Sequence, residues 1–195
     1  MSRSHDWAAK HRHEQEWKNM TEAQYVPFEN TCDAHPLGSD FYRAALKDDL
    51  EKVTSLLDQD GSLVNLQDNL GMTVLHWLAR SPGHRETIEL LLSRGAPLTT
   101  RDRLGNTPLH LAAMAPNREA ILLFLENGAD ITATTIDGMT PLHMSVLSGI
   151  PEIAEIMKTR GGSPDAQNSL GMKPRDIAKA FGLKDTEKSL REKNR

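Results

Sequence analysis

A short phrase that recurs at a nearly constant interval constrains this chain more than any other feature. The pattern Gly-x-Thr-x-Leu-His occupies residues 71–76, 105–110 and 138–143, so its histidines are 34 and 33 residues apart. A related phrase, Gly171-Met-Lys-Pro-Arg-Asp176, begins 33 residues after Gly138. A fixed period of this length indicates a stack of similar units rather than a single globular core.

The unit itself is best described from its copy at residues 104–130. Thr107 is a residue type that begins helices, and Pro108 follows at a position where a helix needs no backbone N–H. The pattern predicts a short helix that ends before Pro116 and a second helix over residues 118–126, with Gly128 just beyond its end. Both helices are apolar over most of their surface, so they need neighbouring copies to bury that surface.

The period together with the Thr-Pro-Leu-His phrase resembles the ankyrin-repeat family. This resemblance implies an all-α fold, an ankyrin-repeat solenoid of helix-turn-helix units joined by short β-hairpin-like loops. We expect five repeats, the first and last degenerate and serving as caps. Their intervals are 40–68, 69–102, 103–135, 136–168 and 169–195. Trp77 falls where the third repeat has Leu111, which predicts a core position.

Residues 1–39 lie outside the repeat pattern. They contain four of the nine aromatic residues of the chain, namely Trp7, Trp17, Tyr25 and Phe28. Two interpretations remain open. The segment either covers the first repeat as a cap or forms an arm that recruits a partner.

Composition narrows the class of partner. The formal net charge of −4 provides no basic excess for a phosphate backbone, so we expect no nucleic-acid partner. Cys32 is the single cysteine, which favours a reducing compartment. No stretch of the sequence has the length and hydrophobicity of a membrane span or secretory signal. We expect a cytoplasmic protein that is monomeric on its own and has no membrane partner.

Histidine is the residue type most suggestive of chemistry. The resemblance implies that His76, His110 and His143, which share one repeat position, bridge backbone groups of adjacent loops. His11, His13, Cys32 and His35 are suitable zinc ligands by type, but their spacing matches no common zinc motif. No phosphate-binding loop or nucleophile motif is present. We therefore predict no enzyme activity, no cofactor and no metal.

The variable positions of the repeats predict an interaction surface. In the resembled family, the residues that flank the loop glycine and those at the end of each first helix project from the stack. Apolar residues and arginines recur at these positions, whereas Glu126 and Lys158 are expected to face solvent on the back of the stack. The candidate partner-binding residues are Leu70, Met72, Arg80, Arg103, Leu104, Met114, Ile136, Met139, Leu147, Leu170, Met172 and Phe181.

The resulting functional prediction is a protein-protein interaction module. It acts as an adaptor or scaffold and binds one partner protein through its concave face and its loop tips. The alternative is a regulatory or inhibitory subunit that binds an enzyme and blocks or shapes its active site. The sequence does not identify the partner.

Overall fold

The computed structural model describes residues 35–191, which contain ten α-helices in five pairs and one 3₁₀ helix (Gly61–Asn65). The first helices of the pairs are α1 (Gly38–Leu46), α3 (Val74–Leu78), α5 (Pro108–Met114), α7 (Pro141–Leu147) and α9 (Pro174–Ala180). The second helices are α2 (Leu50–Gln59), α4 (Arg85–Ser93), α6 (Arg118–Glu126), α8 (Pro151–Thr159) and α10 (Lys184–Arg191). None of these helices combines the length and apolar character that crossing a membrane requires.

The helix boundaries follow from local chemistry. Thr107 and Thr140 have extended backbone angles, and Pro108 and Pro141 open α5 and α7 as predicted. Helix α6 begins after Asn117, whose side-chain oxygen accepts the backbone N–H of Ala120 at 3.1 Å. The predicted bounds of the third pair are confirmed, since α5 ends at Met114 and α6 spans 118–126.

One continuous apolar core runs through the described stack. It extends from Phe41 in the first repeat to Leu190 in α10. Small side chains such as Ala112 and Ala113 are fully buried, which lets neighbouring helices approach closely. Trp77 is buried as predicted, and its indole N–H donates to the Asp68 carboxylate at 2.9 Å.

The first helices and the loops that lead into them share one side of the stack. In the central repeats, α5 and α7 contact each other over a longer stretch than α6 and α8 do. We call the side formed by the first helices and these loops the concave face, as in the sequence prediction.

Each loop before a first helix is a tight turn stabilised by its own side chains. In the turn Asp102–Gly105, the Gly105 N–H donates to the Asp102 carbonyl at 2.9 Å, and the Asp102 carboxylate accepts the N–H groups of Leu104 and Asn106. Gly105 has a φ of +79°, which favours glycine. The Ile136 N–H then donates to the Leu104 carbonyl at 3.1 Å, so successive turns are joined backbone to backbone.

We expect Gly105→Ala to destabilise the protein more than Gly171→Ala. Both glycines have φ values of 73–79°, so alanine is strained at either position by about 1 kcal/mol. A Cβ on Gly105 would also lie 2.8 Å from the Ile136 nitrogen, whereas a Cβ on Gly171 would meet no atom within 4 Å. Thermal unfolding of the two variants measures the difference. Equal losses of stability would show that the close approach of neighbouring turns at Gly105 adds nothing to the effect of backbone strain.

Polar links secure the two ends of the described stack. The His35 imidazole lies 2.9 Å from the Asp60 carboxylate, which ties residue 35 to the first repeat. The sequence predicted that Lys158 faces solvent. This prediction is wrong, because Lys158 is buried beneath α10. Its ammonium donates to the Ser189 carbonyl at 2.7 Å and pairs with Glu155 at 2.9 Å, which holds α10 against α8.

Candidate interaction surface

The repeated histidines lie inside the stack and connect neighbouring repeats. The Thr107 backbone N–H donates to Nδ1 of His110 at 3.1 Å, and the Thr107 hydroxyl lies 2.9 Å from the same nitrogen. Nε2 of His110 lies 3.1 Å from the carbonyl oxygen of Ala133, near the end of the same repeat, and 3.1 Å from that of Met139 in the next repeat. His76 and His143 make the equivalent bonds to the carbonyls of Asn106 and Met172.

This geometry fixes the protonation state of the three imidazoles. Because Nδ1 accepts a backbone N–H, the ring proton resides on Nε2, where it is donated to the next loop. Burial lowers the pKa of His110 to about 4, although the two carbonyls it bonds oppose the shift. Burial also lowers the pKa values of His76 and His143. The histidines are neutral structural bridges, as the resemblance implied.

Tyr42 performs the same role in the first repeat. It precedes Ala44 by two residues, just as His110 precedes Ala112. Its hydroxyl lies 2.6 Å from the Leu66 carbonyl and 2.9 Å from the Met72 carbonyl. Sequence reasoning missed this residue because a phenol does not match the histidine phrase. Alignment on the paired alanines would have found it.

A second polar link joins the first and second repeats on the side away from the turns. His84 lies 2.8 Å from the Asp48 carboxylate through Nδ1 and 3.0 Å from the Ser81 hydroxyl through Nε2. The Thr87 hydroxyl donates to the same carboxylate at 2.6 Å, and the Asn117 amide donates to the Ser81 carbonyl at 2.7 Å. These bonds fix the connection between α3 and α4, residues 79–84, which is longer than the three-residue connections within the other helix pairs.

The tips of the last three turns carry large exposed apolar side chains. Leu104, Ile136 and Leu170 are 54%, 72% and 55% exposed. We call these three residues the fingertip strip. Leu70, at the tip of the first turn, is half-buried, as is Met172 after the last turn. The strip lies at the edge of the concave face because each turn leads directly into a first helix.

Three of the predicted contact residues are placed differently from the sequence expectation. Met72 and Met139 are 0% and 2% exposed, and Met114 is also buried. Each of the first two follows a turn glycine with positive φ, which reverses the chain and directs the next side chain back between repeats. The Asn168 amide lies 3.3 Å from the Met139 sulfur. Met114 packs in the core at the end of α5. The prediction that these three project from the stack is wrong.

The remaining predicted residues lie on the concave face. The Arg80 guanidinium lies 5.2 Å from the centre of the Trp77 ring, close enough for a cation–π contact. Arg103 is exposed on the turn that carries Leu104. Leu147 is half-buried at the end of α7, and Phe181 is exposed at the end of α9.

Charge is distributed unevenly between the concave face and the rest of the stack. We define the inner face as residues 38–47, 67–81, 101–115, 134–148 and 167–181, which comprise the turns and first helices. It contains eight Lys and Arg residues but five Asp and Glu residues. The other described residues contain nine Lys and Arg and fifteen Asp and Glu. The inner face is therefore basic in a chain whose formal charge is −4.

The four residues that are zinc ligands by type, for which no metal was predicted, can be followed only in part. His35 binds Asp60, whereas His11, His13 and Cys32 lie outside the described residues, as does most of the segment predicted as an arm or cap. Among residues 35–191, the His, Cys, Asp and Glu side chains form no group of three or more that could hold a metal ion.

Comparison with known proteins decides the family. The family model described as ankyrin repeats in three copies matches residues 41–135 and 100–168, which together cover more than half of the chain. The chain belongs to the ankyrin-repeat family. Ankyrin repeats are protein-interaction modules, and the family is generally non-enzymatic.

Individual relatives match part of the ankyrin repeats. The chain is 44% identical over 78 residues to the E3 ubiquitin-protein ligase XB3 of Oryza sativa subsp. japonica, covering 38% of this chain and 17% of the relative. It is 30% identical over 102 residues to a Caenorhabditis elegans homologue of transient receptor potential cation channel subfamily A member 1, covering 52% and 8%. It is 47% identical over 53 residues to NF-kappa-B inhibitor alpha of Gallus gallus, covering 27% and 16%. The chain thus spans less than one fifth of the length of these relatives.

Proposed function

We propose that this protein is an adaptor that binds one partner protein through the fingertip strip and the adjoining concave face. The observation that carries the proposal is the exposure of Leu104, Ile136 and Leu170 on three successive turns. Exposed apolar side chains that follow one another along an edge mark interaction sites more often than scattered ones do. The single cysteine fits a reducing compartment, so we place this binding in the cytoplasm.

The strip has no evident use in folding. Its side chains point away from the core, and exposed apolar surface is unfavourable by about 25 cal/mol per Å². Polar residues at these tips would satisfy the turn equally well, since Asp102 and Asn168 accept the backbone N–H groups whatever the tip residue is. Phe181 and the half-buried Leu147 extend the apolar surface along the ends of two first helices.

We expect Leu104→Asp combined with Ile136→Asp to weaken partner binding at least about tenfold, or about 1.4 kcal/mol. The thermal midpoint should stay nearly unchanged because both side chains are largely exposed. Native lysate is passed over immobilised wild-type protein, the retained proteins are identified, and the affinity of each is measured for both forms.

Ile150→Asp is the matched control. Ile150 is also an exposed apolar residue, at 38%, but it precedes α8 at the opposite end of the repeat from the turns. The control should retain the partner that the double variant loses. If the double variant keeps full affinity for every retained protein, the fingertip strip is not the binding site. A large fall in its thermal midpoint would instead show that the tips are part of the core.

A regulatory or inhibitory subunit is the second candidate, and one comparison favours it. A relative with 47% identity over 53 residues is named as an inhibitor of NF-kappa-B. If the retained partner is an enzyme, adding this protein at saturating concentration should lower or redirect its activity. An activity that is unaffected by saturating amounts leaves the adaptor role as the better description.

A further inference from the structure

Ser81, His84 and Asp48 form a chain of hydrogen bonds between the first and second repeats. Nδ1 of His84 lies 2.8 Å from the Asp48 carboxylate, and Nε2 lies 3.0 Å from the Ser81 hydroxyl. Because an ionised carboxylate only accepts hydrogen bonds, the ring proton resides on Nδ1, and Nε2 accepts the Ser81 O–H. This tautomer is the reverse of that in His110, whose Nδ1 accepts a backbone N–H.

Neighbouring side chains hold this chain of hydrogen bonds in place. The Thr87 hydroxyl donates to the second oxygen of the Asp48 carboxylate at 2.6 Å. The Asn117 amide donates to the Ser81 carbonyl at 2.7 Å, which fixes the backbone of the serine. The His84 side chain is only 12% exposed, whereas Ser81 is half-buried. A serine hydroxyl bonded to an imidazole that a carboxylate orients is the arrangement that activates serine as a nucleophile.

Asp48 occupies a position at which later repeats have glycine. It follows Tyr42 by six residues, just as Gly149 follows His143. The φ value is +54° at Asp48 and +73° at Gly149, so the first repeat places a residue with a Cβ in the left-handed region, where glycine is less strained. Strained backbone at a polar side chain is a feature that clusters at functional sites.

The surface beside Ser81 is open to a small molecule. Pro82 and Gly83 are exposed, and a Cβ on Gly83 would meet no atom within 4 Å. Helix α4 begins at Arg85, and the His84 side chain at its N-cap makes no capping bond, which leaves the first N–H groups of the helix available. Backbone N–H groups stabilise the negative charge that develops on a carbonyl oxygen during acyl transfer.

We infer that Ser81 is a nucleophile that takes the acyl group of an activated carboxylic ester, with His84 as its general base and Asp48 as the positioning residue for the imidazole. Oγ of Ser81 forms a bond to the carbonyl carbon while its proton passes to Nε2 of His84. The bond between the carbonyl carbon and the leaving oxygen then breaks, and the leaving group receives the proton from Nε2. The products are an ester of Ser81 and a free alcohol or phenol. The site lies away from the fingertip strip and does not depend on it.

The test is acetylation of the full-length protein by p-nitrophenyl acetate, with the modified residues assigned by peptide mapping and mass spectrometry. Ser148 is a control within the same molecule, because it follows His143 by five residues as Ser81 follows His76. It is also half-buried, but its hydroxyl donates to the Ser145 carbonyl instead of an imidazole. Acetylation should be at least about tenfold faster at Ser81 than at Ser148. Equal or slower acetylation of Ser81 would overturn the inference.

Two conservative variants test the residues that act on Ser81. His84→Gln keeps a hydrogen-bonding side chain but removes the base, so it should slow acetylation of Ser81 at least about tenfold and leave Ser148 unchanged. Asp48→Asn no longer fixes the tautomer and should slow Ser81 in the same direction. A Ser81 rate that is unchanged in both variants would show that the serine reacts without the imidazole. If either variant unfolds, the comparison of Ser81 with Ser148 in the wild-type protein still decides, because it needs no substitution.

Discussion

Replacing His110 with alanine is expected to lower the free energy of unfolding by about 1–3 kcal/mol. The buried imidazole accepts the Thr107 N–H and donates to the carbonyl oxygens of Ala133, in its own repeat, and Met139, in the next repeat. Alanine would leave these buried backbone groups without the hydrogen bonds that the imidazole supplies. Chemical denaturation followed by circular dichroism measures the loss.

Two further variants provide a comparison for the loss of stability expected from His110→Ala. Tyr42→Phe removes only a hydroxyl from the corresponding bridge in the first repeat and should cost less, about 1 kcal/mol. His35→Ala breaks a partly exposed pair with Asp60 and should change stability little. If His110→Ala proves no more damaging than His35→Ala, the histidines are not the bridges that hold the repeats together.

Acidification is expected to destabilise the folded protein between about pH 6.5 and pH 4, because the buried histidines of the repeats are neutral in the folded state. The pKa of His110 falls from 6.5, its ordinary value, to about 4 in the folded state. The unfolded chain therefore binds more protons in this window, so its stability relative to the folded state rises as pH falls. The full stability is present above pH 6.5, and His110 alone accounts for a loss of about 3 kcal/mol by pH 4.

Denaturant midpoints at a series of pH values check this dependence. His76 and His143, whose pKa values are also lowered by burial, should add to the loss in the same direction. A His110→Gln variant should be less stable at pH 7.5 but depend less steeply on pH. A wild-type midpoint that is constant from pH 7.5 to pH 5 contradicts the neutral, buried assignment of these imidazoles.

Much of the fold follows directly from the sequence because each repeat encodes its own boundaries. Thr107, Pro108 and Gly128 have conformational preferences that act locally, and the structure confirms the helices they delimit. The solenoid follows from recurrence, since a unit that exposes an apolar face on both sides needs copies of itself. These are properties of residue type and spacing, which can be read directly from a sequence.

The candidate surface was less predictable because it depends on which way individual side chains point. Met139 and Leu104 each lie one residue from a turn glycine, yet the first is buried and the second is more than half exposed. The left-handed glycine between tip and helix causes this difference. The burial of Lys158 was likewise not predictable from nearby residues, because it depends on α10, which begins 26 residues later in the chain. Contacts that join distant segments leave no local pattern.

The central claim, that the fingertip strip contacts a partner protein, is tested most directly by site-specific photo-crosslinking. The photoreactive amino acid p-benzoylphenylalanine replaces Leu104, Ile136 or Leu170, one at a time, and Glu126 or Ile150 as controls. Glu126 is exposed on α6, and all five side chains can therefore reach a bound protein. We predict covalent capture of one and the same partner from the three strip positions and from neither control. Capture from Glu126 or Ile150, with none from the strip, would contradict this account.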